Sequence, residues 1–207
     1  MHYCTSCEAA MPHRDPVPER GIAACIQCGT ENRIPDVPLF VITGGSGCGK
    51  STVSQGLLRK RNPYLVVDAD FLFPNMKSFG SWDNFYNFAT IVSLTLARNL
   101  RPIVLVGGAS LSQIEKAKTS AFFSSVHFLV IACDQATQTA RLKGRCLYGT
   151  TGPPTPESIS NALNQAHFIT EEASSRSNAT VLDTTTLSRD ETVSTVDNWI
   201  LERLEDG

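Results

Sequence analysis

Eight consecutive residues constrain this chain more than anything else in it: Gly44-Gly45-Ser46-Gly47-Cys48-Gly49-Lys50-Ser51. The run satisfies G-x-x-x-x-G-K-[ST], and its flanks are the ones that motif requires. Leu39 to Thr43 is a short apolar run that reads as a buried strand. Lys50 to Arg61 reads as a helix with Val53, Leu57 and Leu58 on one face. A glycine-rich turn between strand and helix lets backbone N–H groups wrap a phosphate, and the helix N-terminus adds a favourable dipole. Lys50 is then placed to reach β- and γ-phosphates and the Ser51 hydroxyl to hold Mg²⁺, with Thr52 completing the phosphate-binding set. The ligand this predicts is Mg-ATP. Cys48 has two readings: a small residue that fits the loop, or a thiol made oxidisable by a backbone-lined anion site.

Downstream, the chain alternates between short apolar runs and longer periodic segments. Strands are expected at Tyr64 to Val67, Ile103 to Val106, Val126 to Ala132 and Thr180 to Leu182. Helices are expected at Trp82 to Asn99, Gln135 to Lys143, Pro156 to Ala173 and Asp190 to Leu204, with Gly144 to Pro156 as a loop. Five apolar strands separated by helices predict an α/β sandwich: a five-stranded parallel sheet covered on both faces. In such sheets ligands bind at the carboxyl ends of the strands.

Those strand ends decide which class of phosphate chemistry is expected. Motor and transport ATPases place an acidic residue after the strand beside the phosphate loop, but Ile103-Val104-Leu105-Val106 runs into Gly107-Gly108. A switch GTPase needs N-K-x-D and D-x-x-G motifs, and neither occurs. The second strand instead ends Val66-Val67-Asp68-Ala69-Asp70. In an extended segment residues i and i+2 point the same way, so both carboxylates are expected to face the phosphate site. Phosphoryl transfer needs positioning, charge neutralisation and an oriented nucleophile, which such a pair supplies.

Taken together, the phosphate loop, the D-x-D, the Gly-Gly, an arginine-bearing loop after the fourth strand, and Leu182-Asp183-Thr184-Thr185 running to Trp199-Ile200 resemble the shikimate-kinase-like and nucleoside-monophosphate-kinase-like P-loop kinases. The resemblance covers roughly residues 38–205. It implies that Asp68 supports Mg²⁺ and that Asp70 contacts or deprotonates the acceptor. It also implies that Gly107 and Gly108 offer backbone N–H groups to the acceptor, and that the Asp183 to Thr186 loop borders the base. Arg141 and Arg145 would serve the nucleotide from a mobile lid, Arg145 as a catalytic group at its base. By spacing alone, Arg141 reads equally well as part of an exposed helix face.

The acceptor itself stays open. Phe71, Phe73, Phe79, Trp82, Phe85, Tyr86 and Phe88 cluster next to the D-x-D, as a stacking platform or simply as core. From Phe71 to Ala97 the sole cation is Lys77, whereas a monophosphate acceptor calls for arginines. Charge therefore favours a nucleoside or another neutral, hydroxyl-bearing metabolite, while the resemblance points toward nucleotides.

The first 36 residues differ in kind: they hold four of the seven cysteines and four of the eleven prolines, with almost no strand or helix periodicity. Cys4-x-x-Cys7 and Cys25-x-x-Cys28 are 17 residues apart, the spacing of a four-thiolate zinc site, with Gly29 suited to the tight turn after the second pair. Such a closed shell makes the Zn²⁺ structural. The segment resembles a zinc ribbon, which a segment this short could not hold without metal. The alternative is a pair of redox motifs, but no thioredoxin-like βαβ frame surrounds them. The expected domains are thus a ribbon over 1–36 and a kinase domain over 37–207.

Two functions compete: a metabolite kinase with the ribbon as accessory, and a nucleic-acid-associated protein, or polynucleotide-end kinase, gripping RNA or DNA through the ribbon. A net charge of −2 and the few basic residues of the ribbon (Arg14, Arg20, Arg33) favour the first. No apolar run is long enough to span a bilayer and no signal peptide opens the chain, so a cytoplasmic location is expected.

Overall fold

The computed structural model describes residues 4, 6–8, 14–17, 22–33, 37–71, 79–117, 119–144 and 154–205. Three short strands open it: β1 (Arg14–Val17), β2 (Ile22–Cys25) and β3 (Glu31–Arg33). They pair antiparallel in the order β1-β2-β3, separately from the main sheet. The sequence showed no strand periodicity here, because runs of three and four residues are too short to display an alternation. The expected boundary at Asp36 lies outside the described residues.

The main sheet is built from β4 (Leu39–Thr43), β5 (Leu65–Asp68), β6 (Ile103–Val106), β7 (Val126–Ala132) and β8 (Ala179–Asp183), all parallel in the order β5-β6-β4-β7-β8. Helices α1 (Lys50–Leu58), α2 (Trp82–Ala97), α3 (Leu111–Glu115), α4 (Gln135–Lys143), α5 (Pro156–Ser174) and α6 (Arg189–Glu205) complete the described domain.

The continuous apolar runs of β4 and β6 reflect burial on both faces. Leu39, Val41, Ile103 and Leu105 pack on one side with Phe85, Ala89, Ile114 and Ile169. Phe40, Ile42, Val104 and Val106 pack on the other with Val53, Leu57, Val196 and Ile200. Fully burying a Leu, Ile or Phe side chain contributes about 1.5–3 kcal/mol, so these two layers dominate the stability of the sheet.

Helix α1 departs from expectation in one respect. Its buried residues are Val53, Ser54 and Leu57, while Leu58 is 58% exposed. The helix is turned so that Gly56 meets α6: a Cβ there would lie 2.4 Å from a Val193 methyl. That close approach carries Leu58 out to solvent. Helix α3 was not anticipated, although Ser110 and Gln113 form a capping box at its start. Glu172 of α5 anchors this same end, accepting the N–H groups of Leu111 (2.8 Å) and Ser112 (2.9 Å).

Candidate active site

Strand β4 is central, so the loop that follows it lies between the carboxyl ends of β6 and β7. Its shape depends on glycine at specific places. Gly44, Gly47 and Gly49 have φ of 142°, 91° and 117°, in the region that disfavours side chains. A Cβ on Gly44 would lie 2.2 Å from the Ile131 carbonyl oxygen of β7. Lys50 Nζ donates to the carbonyls of Gly44 (2.8 Å) and Gly45 (3.0 Å). A third brace was not foreseen: buried Gln138 of α4 donates to the Ser46 carbonyl at 2.7 Å. Nothing in the sequence marks that glutamine, because its role depends on α4 crossing the loop.

Residues 46–52 line a cavity of about 1170 Å³. Asp70, Trp82, Tyr86, Gly108, Asn161 and Gln165 line it as well, and so do Arg141, Thr184 and Arg189. The structure thus gathers the phosphate loop, the second D-x-D carboxylate, the glycine after β6, and the segment after β8 around one space.

The two carboxylates of the D-x-D do different things. The chain leaves β5 at Asp68 and enters a 3-10 turn over 69–71, so the alternation of an extended strand does not reach Asp70. Asp70 borders the cavity. Asp68 instead accepts the Ser54 hydroxyl at 2.5 Å and the Asp70 N–H at 2.9 Å, and is not part of the lining.

The glycines after β6 also separate. Gly107 donates its N–H to Ile42 at 3.0 Å, within the sheet, and so does not offer it to an acceptor. A Cβ on it would sit 2.9 Å from that of Ala69, so its smallness brings the β5 and β6 ends together. Gly108 borders the cavity, with its N–H against the Tyr86 hydroxyl. Burial, reinforced by the nearby Asp70 charge, pushes the Tyr86 phenol well above its ordinary range and keeps it protonated.

On the other side of the loop, Arg141 is not a free surface residue. Its guanidinium donates to the Thr184 carbonyl at 3.1 Å and lies 3.5 Å from the Cys48 carbonyl. Buried Thr184 approaches the Cys48 and Ala132 carbonyls at 3.2 and 3.0 Å. Asp183 shapes the segment from outside the lining: it accepts the Thr185 hydroxyl (2.6 Å) and N–H (2.8 Å), which hold its carboxyl below the usual range. Cys48 is buried, with its sulfur 4.0 Å from that of Cys133. Burial and the neighbouring Cys48 push the Cys133 thiol up to about 12. The setting favours the small-residue reading of Cys48. Arg145 and Lys77 lie outside the described residues.

The four N-terminal sulfurs lie within 4.8 Å of one another, with Cys4–Cys28 at 3.6 Å and Cys7–Cys25 at 3.9 Å. Tetrahedral zinc with Zn–S bonds of 2.3 Å separates its sulfurs by about 3.8 Å, so the set fits that ion.

No protein-family model matches the chain, and no curated protein matches it. Solved structures do. A sugar kinase from Janibacter sp. superposes with a TM-score of 0.57 at 14% identity, over 80% of this chain and 95% of that one. A gluconokinase from Sinorhizobium meliloti gives 0.56 at 19%, over 84% and 98%. A shikimate kinase from Acinetobacter baumannii gives 0.53 at 14%, over 82% and 96%. The fold is that of the P-loop kinases. At these identities the likeness is one of fold, and the five-stranded order with its loop on the central strand is what carries it. Among the described residues, no helix is long and apolar enough to cross a membrane.

Proposed function

We propose that this chain is an ATP-dependent kinase that transfers the γ-phosphoryl group to a hydroxyl of a small molecule held beside Asp70. One observation carries the reading: Lys50 and Ser51 of the phosphate loop share a cavity with the Asp70 carboxylate. The space, about 1170 Å³, exceeds that of a single drug-sized ligand, as two substrates side by side require.

In the reaction the acceptor oxygen forms a bond to the γ-phosphorus while the bond to the β-phosphate oxygen breaks. ADP leaves with that electron pair, and Asp70 takes the hydroxyl proton. Lys50 holds the β- and γ-phosphates, and Arg141, tied to Thr184, borders the nucleotide side. Ser51 lines the same cavity, and its hydroxyl would hold Mg²⁺, which would supply charge neutralisation on those phosphates. Asp68 is a positioning residue in this scheme, because its carboxylate fixes Ser54 and the turn that aims Asp70. That departs from a metal-side role for Asp68, and the two assignments differ in what they predict.

Asp70→Asn should retain Mg-ATP affinity and lower phosphoryl transfer by about 10²- to 10⁴-fold, the loss typical of a general base. Asp68→Asn should lower transfer less and leave the Mg²⁺ titration midpoint in place. Steady-state transfer over a Mg²⁺ titration, with both variants, tests this. Parental rates in Asp70→Asn would remove the kinase reading, and a displaced Mg²⁺ midpoint in Asp68→Asn would return that carboxylate to the metal.

A further inference from the structure

Helix α5 has two chemically distinct flanks. Its charged and titratable residues are Glu157, His167, Glu171 and Glu172, and none of them lines either cavity of the domain. Ser158, Asn161 and Gln165, spaced by three and four, face the main cavity with small Ala162 between them. The helix therefore presents a ladder of neutral hydrogen-bonding groups to the space beside Asp70.

The same cavity has an aromatic wall. Trp82, the first residue of α2, is 46% exposed and borders the cavity. Its ring is stacked on Tyr86 (centroids 6.1 Å apart, planes at 22°) and meets the edge of Phe85 at 5.9 Å. Two aromatic neighbours hold the indole in place, so its accessible surface is a rigid apolar platform. Beyond Gly108, Gln113 and Gln165 the space continues into a second cavity of about 230 Å³, reaching Phe168 and Ile169. Among the described residues the second cavity is lined by no charged residue, and the cation beside Gly108 is Lys50, whose ammonium is already engaged by the Gly44 and Gly45 carbonyls of the phosphate loop.

We propose that the acceptor is an uncharged, polyhydroxylated ring compound, a sugar or nucleoside, packed with its flat apolar face on Trp82. Its hydroxyls bond to Asn161 and Gln165, and one of them is presented to Asp70. An anionic acceptor bearing phosphate or carboxylate would place its charge against neutral amides and an aspartate, where, among the described residues, only Lys50, already engaged by its own loop, stands near enough to offset the cost of removing it from water. A neutral polyol replaces its water contacts one for one with amides that both donate and accept. The inference rests on the kinase reading for the role of Asp70, but not for the binding preference.

The experiment uses the full-length chain with a non-hydrolysable Mg-ATP analogue and acceptors matched in all but charge: glucose with gluconate and glucose 6-phosphate, ribose with ribose 5-phosphate, cytidine with cytidine monophosphate. Tryptophan emission reports binding, since Trp199 is buried and Trp82 is exposed. The uncharged member of at least one set should bind about 10-fold or more tightly than its anionic partners, and the emission change should be lost in Trp82→Phe. Gln165→Leu should weaken that binding by about 10-fold, the value of a hydrogen bond to a buried hydroxyl, with affinity for the Mg-ATP analogue unchanged. Tighter binding of the anionic members, or no binding by any uncharged one, overturns the proposal. ADP formation with Mg-ATP is measured alongside. Anionic acceptors phosphorylated well would overturn this inference while leaving the kinase reading intact. Uncharged acceptors that bind as expected without ADP formation would do the reverse.

Discussion

Lys50 illustrates how much one residue of the loop determines. Its ammonium donates to two carbonyls of the loop that carries it, so it is held over the place where phosphates are expected. Lys50→Ala removes the cation expected to face the β- and γ-phosphates, a charge-assisted contact of a kind worth roughly 1.5–3 kcal/mol. Mg-ATP affinity measured by calorimetry should fall by about 10- to 100-fold, and turnover should be lost. The thermal midpoint should stay near the parental value, because Lys50 is not part of either buried layer. Unchanged nucleotide affinity in that variant would contradict the phosphate-loop assignment. Lys50, Ser51 and Asp70 were legible in the sequence because motif and strand position mark them. That Asp70 borders the cavity while Asp68 turns to Ser54 was not, since it depends on a 3-10 turn that begins one residue after the strand ends. Nor was the loss of the Gly107 N–H to Ile42, which follows only from the register of β6 on β4.

Among elements, the strands of the main sheet were legible nearly to the residue, whereas the short β1, β2 and β3 were not. β6 and β7 have the expected ends, and β5 begins at Leu65 where Tyr64 was expected. Tyr64 turns instead toward α6, where its hydroxyl bonds to Asp197 at 2.5 Å. Helix faces were harder to read, because the rotation of a short helix is set by its neighbour and not by its own pattern. The Gly56–Val193 approach rotates α1 and leaves Leu57 fully buried beside an exposed Leu58. The two leucines make a direct test. Leu57→Ala should cost about 2–5 kcal/mol, and Leu58→Ala should stay within about 0.5 kcal/mol of the parent. Chemical denaturation of both variants measures the difference, and similar losses would mean that α1 is rotated otherwise.

At the scale of the whole molecule, the two sheets differ in what is buried around them. The parallel sheet has apolar layers on both faces, whereas the only buried apolar cluster described in the first 33 residues consists of cysteines. A segment that holds Zn²⁺ through these four closely spaced sulfurs would depend on the ion to stay folded. Elemental analysis of the purified chain should find one Zn²⁺ per molecule, and alanine at Cys4 and Cys28 should abolish it. A chain beginning near Asp36 should still bind Mg-ATP, since every described residue lining the cavity follows Thr43. Finding no zinc, with the four thiols free or oxidised, would reject the ribbon.

The strand order has a further consequence, for the time at which the site comes into being. β4 is the first strand of its sheet to be synthesised, yet its partners are β6 and β7, with Leu39 opposite Ile103 and Val126. A nascent chain that has just produced the phosphate loop has no neighbouring strand on which to hang it. The Ile131 carbonyl that Gly44 abuts and the Gln138 amide that braces Ser46 emerge later still. Pairings between strands so distant along the chain are the slow part of folding, because the intervening segment must be ordered before the contact is made. The phosphate loop is therefore encoded early and assembled late, and a truncated or stalled chain carries the motif without the strands and helix that shape it.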